Sequence, residues 1–167
     1  RDLSLAMAPE ILKDILSGLI KNAIESTPDE GSIRIILVQK DERLLLKVQD
    51  SGIGITEDNQ KRIFDGLFHT LDTELYKSKK PYDFGAGGKG LDLFLMKLYG
   101  QRFGFGLSVE SQRCIYIPKD QDICPGRISA CSHCTGPGDC ETSGGTTFSL
   151  SFQITEEMES NGVRLDI

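Results

Sequence analysis

Apolar residues near the start of the chain fall in pairs one helical turn apart: Ile11 and Leu12, Ile15 and Leu16, Leu19 and Ile20, Ala23 and Ile24. That spacing lays one apolar stripe along a helix. Pro9 suits its first turn, where a backbone N–H is not needed, and Pro28 stops it. The period then changes. Ser32 to Gln39 is rich in isoleucine and valine, Lys40-Asp41-Glu42-Arg43 is a polar turn, and Leu44 to Gln49 reads as the returning strand of a hairpin. Glu57 to Phe64 suits a short helix, Leu91 to Tyr99 a second apolar helix, and Leu107 to Ser111 and Thr146 to Phe152 two further strands. Residues 69 to 90 carry turn formers, lysines and glycines without a period. They predict a long loop, of the kind that serves as a lid or binding loop.

The element order is helix, hairpin, short helix, loop, helix, strand, insert, strand. It predicts an α/β fold, a two-layer α/β sandwich with a mixed, mostly antiparallel sheet and helices on one face. It does not alternate strand and helix as a doubly wound nucleotide fold does. One domain is expected over 1–155, interrupted at 113–143 by a cysteine-bearing insert and followed by a polar tail at 156–167.

Size and composition agree with one such domain. The 167 residues suffice for a single core, and 38% hydrophobic with 26% charged residues is a globular balance. No apolar stretch approaches the roughly 20 residues that span a bilayer, so direct membrane insertion is not expected. A net charge of -6 without a basic stripe argues against a nucleic-acid surface, and leaves room for a small anionic ligand held by local donors. The chain begins at Arg1 without a secretory leader and reads as a piece of something longer. All five cysteines lie between Cys114 and Cys140. A disulfide scaffold would staple the whole chain, so the body reads as a cytoplasmic fold with a special insert.

Three segments carry chemistry. Asn22 stands one turn after Gly18 and two after Asp14 on the first helix, and Asn is a poor interior helix residue. It reads as a solvent-facing residue or as a neutral oxygen ligand for Mg2+, which takes few protein groups alongside waters and phosphates. Asp50-Ser51-Gly52-Ile53-Gly54-Ile55 follows a strand. It reads as a turn or as a carboxylate for an exocyclic amine, with glycines letting backbone approach a flat ring. Gly85-Ala86-Gly87-Gly88-Lys89-Gly90 runs into the helix at Leu91, and glycines before a helix N-terminus offer free N–H groups to phosphate. The run matches G-x-G-x-x-G but no strand precedes it, so the dinucleotide reading fails its context. Gly90 after Lys89 also breaks the phosphate-loop pattern.

In combination these segments resemble one family, the ATP-binding domains of histidine kinases, gyrase-type ATPases, heat-shock chaperones and mismatch-repair ATPases. Leu19 to Glu25 looks like the N box and Asp50 to Gly54 like the first glycine box. Ile63 to Phe68 is similar to the phenylalanine box, Gly85 to Leu91 to the second glycine box, and Gly145-Thr146-Thr147-Phe148 to the closing G-T-x-F. The resemblance covers about residues 9 to 112 and 144 to 152. It implies a Bergerat-type fold and the catalytic domain of a two-component sensor histidine kinase, with ATP and Mg2+ as cofactors. Asn22 would hold Mg2+, Asp50 would read the adenine amine, and Gly52, Gly54, Ile55 and Thr146 would line the adenine site. Residues 69 to 90 would be the lid, anchored by Phe64 and Phe68. Gly85, Gly87, Gly88, Lys89, Gly90 and Leu91 would wrap the phosphates, with Lys77, Lys79 and Lys80 supplying further charge. The implied partners are the dimerisation and phosphoacceptor helices of the parent kinase and a response regulator, with a cytoplasmic location.

There are departures. Gly18 stands where these kinases often have a second Asn and the hydrolases a general-base Glu. Asp65-Gly66 replaces a more usual Glu-Pro, and Lys89 sits where an apolar residue is common. Neither His69 nor His133 has the helical context of a phosphoacceptor.

The insert stands apart from the family pattern. Cys124, Cys131, Cys134 and Cys140 include one C-x-x-C and are expected to bind Zn2+ or an iron–sulfur cluster, with disulfides or free thiols as the other readings. Two alternatives to the kinase domain follow: a metal- or redox-sensing module on a degenerate ATP-binding fold, and a hydrolysing ATPase of the same superfamily.

Overall fold

A computed structural model describes residues 3–5, 7–65, 91–154 and 163–165. The apolar stripe forms α1 (Pro9–Ser26), which buries Leu12, Ile15, Leu19 and Ala23. Its end is fixed by hydroxyls folding back: Ser26 Oγ donates to the Asn22 carbonyl at 2.6 Å and Thr27 Oγ1 to the Ala23 carbonyl at 2.6 Å. The hairpin follows as β2 (Ile33–Lys40) and β3 (Arg43–Asp50), in register from Ile33↔Asp50 to Lys40↔Arg43. Asp41 takes a positive φ of 54° in the two-residue turn, the conformation such tight hairpins favour. Then come α2 (Glu57–Gln60), α3 (Asp92–Phe103), β4 (Gly106–Gln112), α4 (Pro137–Ser143) and β5 (Gly145–Gln153).

The main sheet runs β2-β3-β5-β4, and every pairing in it is antiparallel. The two-layer sandwich is as expected, with no parallel pair in this sheet. The last long strand is central: β5 lies between β3 and β4. A separate two-stranded ladder joins β1 (Leu3–Leu5) to β6 (Val163–Leu165), so the polar tail carries an element that periodicity did not suggest.

Alternation decides the faces. Leu44, Leu46 and Val48 of β3 and Phe148, Leu150 and Phe152 of β5 point to one side. There they meet the α1 stripe, Met96 of α3, Met7, Ile63 and Phe105 in one core. Lys47, Gln49, Thr147 and Ser149 occupy the intervening positions, as a period of two requires.

The insert at 113–143 is held by hydrogen bonds and one buried apolar side chain. Asp29 N–H donates to the Gly126 carbonyl at 2.9 Å, Ile128 N–H to the Asp29 carbonyl at 3.2 Å, and Ile128 is only 2% exposed. Ser129 donates from backbone and hydroxyl to the Glu30 carboxylate at 2.8 and 2.9 Å. At the other end, the Asp120 carboxylate accepts from Thr56 and Asn59, both at 3.0 Å. Glu141 of α4 accepts from Ser32 Oγ at 2.6 Å and pairs with Arg34 at 3.4 Å.

Candidate nucleotide-binding site

Register places three polar side chains in a row where the core ends. Asp50 is opposite Thr146 on β5, and Thr146 is opposite Ser111 on β4. Each is the next inward position after an apolar run, Leu44-Leu46-Val48 on β3, Phe152-Leu150-Phe148 on β5 and Leu107-Val109 on β4. Asp50 and Thr146 are 5% and 4% exposed. A carboxylate that far from water needs donors, and Gly52 N–H supplies one to Asp50 Oδ1 at 2.9 Å. Ser111 Oγ lies 2.9 Å from Thr146 Oγ1, donates to the Gly145 carbonyl at 3.0 Å and accepts from Ile55 N–H at 2.8 Å. Asp50, Gly52, Ile55 and Thr146 therefore meet at one end of the sheet.

The glycines of this segment have a reason internal to the protein. A Cβ on Gly52 would lie 2.5 Å from the Ser26 carbonyl oxygen, and one on Gly54 would lie 1.8 Å from the Gln112 carbonyl oxygen. Gly54 also has φ of +67°, a region side chains disfavour. Close backbone packing, in place of approach to a flat ring, thus already demands both glycines. The Ile53 N–H donates to the Ser26 carbonyl at 3.2 Å, so the end of α1, one turn beyond Asn22, touches the glycine segment. Asn22 itself is partly exposed.

Gly18 is buried against α3: a Cβ there would lie 2.6 Å from Met96 Cε and 3.8 Å from Asp92 Cγ. The carboxyl of Asp92 thus stands beside the place where a side chain at position 18 would be. Asp92 and Ser111 escaped the sequence reading. Ser111 had a signal, as the polar end of the inward series Leu107, Val109; Asp92 had only its place in a helix's first turn.

Phe64 is half-buried against the core and Leu91 precedes α3. Phe68, His69, Lys77, Lys79, Lys80, Gly85, Gly87, Gly88, Lys89 and Gly90 lie outside the described residues. His133 stands in a turn of the insert with its ring stacked on Tyr116, centroids 4.9 Å apart and planes 3° from parallel.

The metal expectation for the insert is not met. Among the described residues no group of three or more His, Cys, Asp or Glu side chains is arranged to hold a metal ion. Cys124, Cys131, Cys134 and Cys140 instead line a cavity of about 220 Å³. No helix among the described residues is long and apolar enough to cross a membrane.

Comparison with known proteins agrees with this geometry. Residues 7–156 match the family described as histidine kinase-, DNA gyrase B- and HSP90-like ATPase. The circadian input-output histidine kinase CikA of Synechococcus elongatus is 33% identical over 103 residues, 62% of this chain and 13% of that protein. The sensor protein CiaH of Streptococcus pneumoniae is 36% identical over 87 residues, covering 52% and 18%. The sensor histidine kinase RppB of a Synechocystis strain is 34% identical over 97 residues, covering 58% and 20%. This chain therefore corresponds to a fifth or less of each of these relatives. Among solved structures, the mycobacterial sensor histidine kinase MprB shares the fold with a TM-score of 0.58 at 18% identity, over 91% of this chain and 76% of that one. The catalytic domain of the histidine kinase ThkA does so at 0.51 and 20%, over 87% and 67%.

Proposed function

The chain belongs to the histidine kinase-, DNA gyrase B- and HSP90-like ATPase family, and from that premise we propose that it is the ATP-binding catalytic domain of a two-component sensor histidine kinase. In this reading it donates the ATP γ-phosphate to a histidine on the dimerisation helices of a longer parent, which then serves a response regulator on the cytoplasmic side. The observation that carries the nucleotide half is the row Asp50–Thr146–Ser111 at one end of the sheet. The donor set fits the purine. A buried carboxylate aimed by Gly52 N–H and flanked by two hydroxyls is an acceptor array suited to an exocyclic amine. Asn22 offers an amide oxygen, a hard ligand of the kind Mg2+ takes, one turn from the contact between α1 and the glycine segment. Mg2+ would supply charge neutralisation on the phosphates, and the protein's share is positioning.

Titration calorimetry with ADP and Mg2+ tests the site. Asp50→Asn keeps the shape but presents an amide with donors toward an amine donor, and is expected to weaken binding by about fivefold or more, the 1–3 kcal/mol of an unsatisfied buried polar group. Unchanged affinity in a folded Asp50→Asn protein would refute the assignment.

A second reading, slow hydrolysis by this chain itself, has one observation behind it: the Asp92 carboxyl beside Gly18, where hydrolases of the family place a general base. Steady-state phosphate release that falls in Asp92→Asn supports it; release at the background rate in both proteins removes it.

A further inference from the structure

The chain's five cysteines, Cys114, Cys124, Cys131, Cys134 and Cys140, line one cavity together with Gly52 and Ile53. The segment that aims Asp50 is thus also part of the wall of that cavity. None of the five cysteines is joined in a disulfide, and all are partly accessible. The Cys134 thiol is in hydrogen-bonding contact with both Cys131 and Cys140. Ser132 and His133 form a turn between Cys131 and Cys134, which brings the flanking Cα atoms within about 7 Å. Disulfides span about 4.4 to 6.8 Å. The stack of His133 on Tyr116 pins that turn.

We propose that Cys131 and Cys134 form a reversible thiol–disulfide modification site, closed by a small soluble disulfide, and that closing it weakens nucleotide binding at the adjoining glycine segment. The second half rests on the nucleotide reading above; the first does not. In the first step the Cys131 thiolate attacks one sulfur of the small disulfide, whose other half leaves as a thiolate and takes up a proton. Cys134, as thiolate, then attacks Cys131 Sγ and expels the second half. The protein loses two protons and two electrons and gains one S–S bond, while the small disulfide is reduced to two thiols.

The reduced cluster is guarded. Burial, the hydrogen bond to Cys131 and the charges of Cys131 and Cys140 hold the Cys134 thiol pushed up to about 12, so at neutral pH it is protonated and a poor nucleophile. Capping Cys131 removes that hydrogen bond and that charge while burial, the larger cause, remains, and Cys134 resolves the mixed disulfide through the small share of it that ionises. Closure also pulls Cys134 away from Cys140. The carbonyl of Cys140 accepts from Ser143 Oγ at 2.8 Å, Ser143 Oγ accepts from Cys114 Sγ at 3.5 Å, and Cys114 N–H donates to the Ile53 carbonyl at 2.8 Å. A shift along this chain moves the segment whose Gly52 N–H orients Asp50.

The test exposes the reduced chain to oxidised glutathione, blocks remaining thiols with iodoacetamide and maps peptides by mass spectrometry. Affinity for a fluorescent ADP analogue is measured in parallel. The expected result is loss of two hydrogens on the peptide containing Cys131 and Cys134, and a Kd raised about two- to tenfold, the worth of one hydrogen bond. Dithiothreitol should reverse both on the wild-type chain, which needs no variant to fold. Cys134→Ser should stop at a glutathione adduct on Cys131. Alkylation of both cysteines after oxidation overturns the proposal, as does a mapped disulfide with unchanged Kd, or about one zinc per chain in the untreated protein with its thiols shielded. If the reduced chain binds no nucleotide, the nucleotide reading falls and the peptide map alone decides the modification site.

Discussion

Replacing Gly54 by alanine tests why the glycine segment has its sequence, and Gly104 provides the control. Both residues have positive φ, +67° and +72°. A Cβ on Gly104 meets nothing within 4 Å, whereas one on Gly54 would lie 1.8 Å from the Gln112 carbonyl oxygen and 2.5 Å from its carbon. Gly104→Ala should therefore cost only the left-handed backbone penalty, about 1–2 kcal/mol. Gly54→Ala carries the same penalty and must also push two backbones apart, which overpacking data put at about 1–3 kcal/mol more. The displaced groups are the Gly54 carbonyl that accepts from Arg113 at 3.3 Å and the Ile55 N–H that donates to Ser111 Oγ at 2.8 Å. A total of about 2–5 kcal/mol is a large part of a domain's usual 5–15 kcal/mol. Urea unfolding of both variants at unchanged m-value measures the difference. Equal losses in Gly54→Ala and Gly104→Ala would refute the close contact as the reason for the glycine.

Two further outcomes are expected. Ile128→Ala removes a side chain 2% exposed and should cost about 2–4 kcal/mol, read as faster hydrogen exchange at the Asp29 and Ile128 amides that tie the insert to the end of α1. The Cys134 thiol, pushed up to about 12 from 9.0 chiefly by burial, keeps its proton in the folded chain where the unfolded chain has lost it. Its contribution to stability is full below pH 9 and is lost as pH rises from about 9 toward 12, so Cys134→Ser should flatten that part of a stability–pH curve.

Much of this molecule is local in origin and hence legible along the chain. The paired apolar positions from Ile11 to Ile24 fix α1, and alternation in Leu44 to Asp50 and Thr146 to Phe152 fixes which side chains enter the core. Asn22 and Asp50 are legible as residue types because their chemistry is unusual for helix and strand positions, and Thr146 only through the resemblance of Gly145-Thr146-Thr147-Phe148 to a family motif. What periodicity cannot contain is which strand lies beside which, since pairing depends on closing loops of very different length. Only the fold sets β5 between β3 and β4, and with it Thr146 beside Asp50 and Ser111 beside Thr146. The glycines show the same division: their presence in a turn is readable, but the reason, a carbonyl of β4 at Gly54 and a carbonyl of α1 at Gly52, belongs to distant segments. The insert shows it most sharply. Its spacing of cysteines suggested one metal centre, because spacing records order along the chain and not the geometry reached in space; folding sets the cysteines along a cavity beside the glycine segment and anchors the insert through Ile128, Glu141 and Asp120 to partners as many as 109 residues away in sequence.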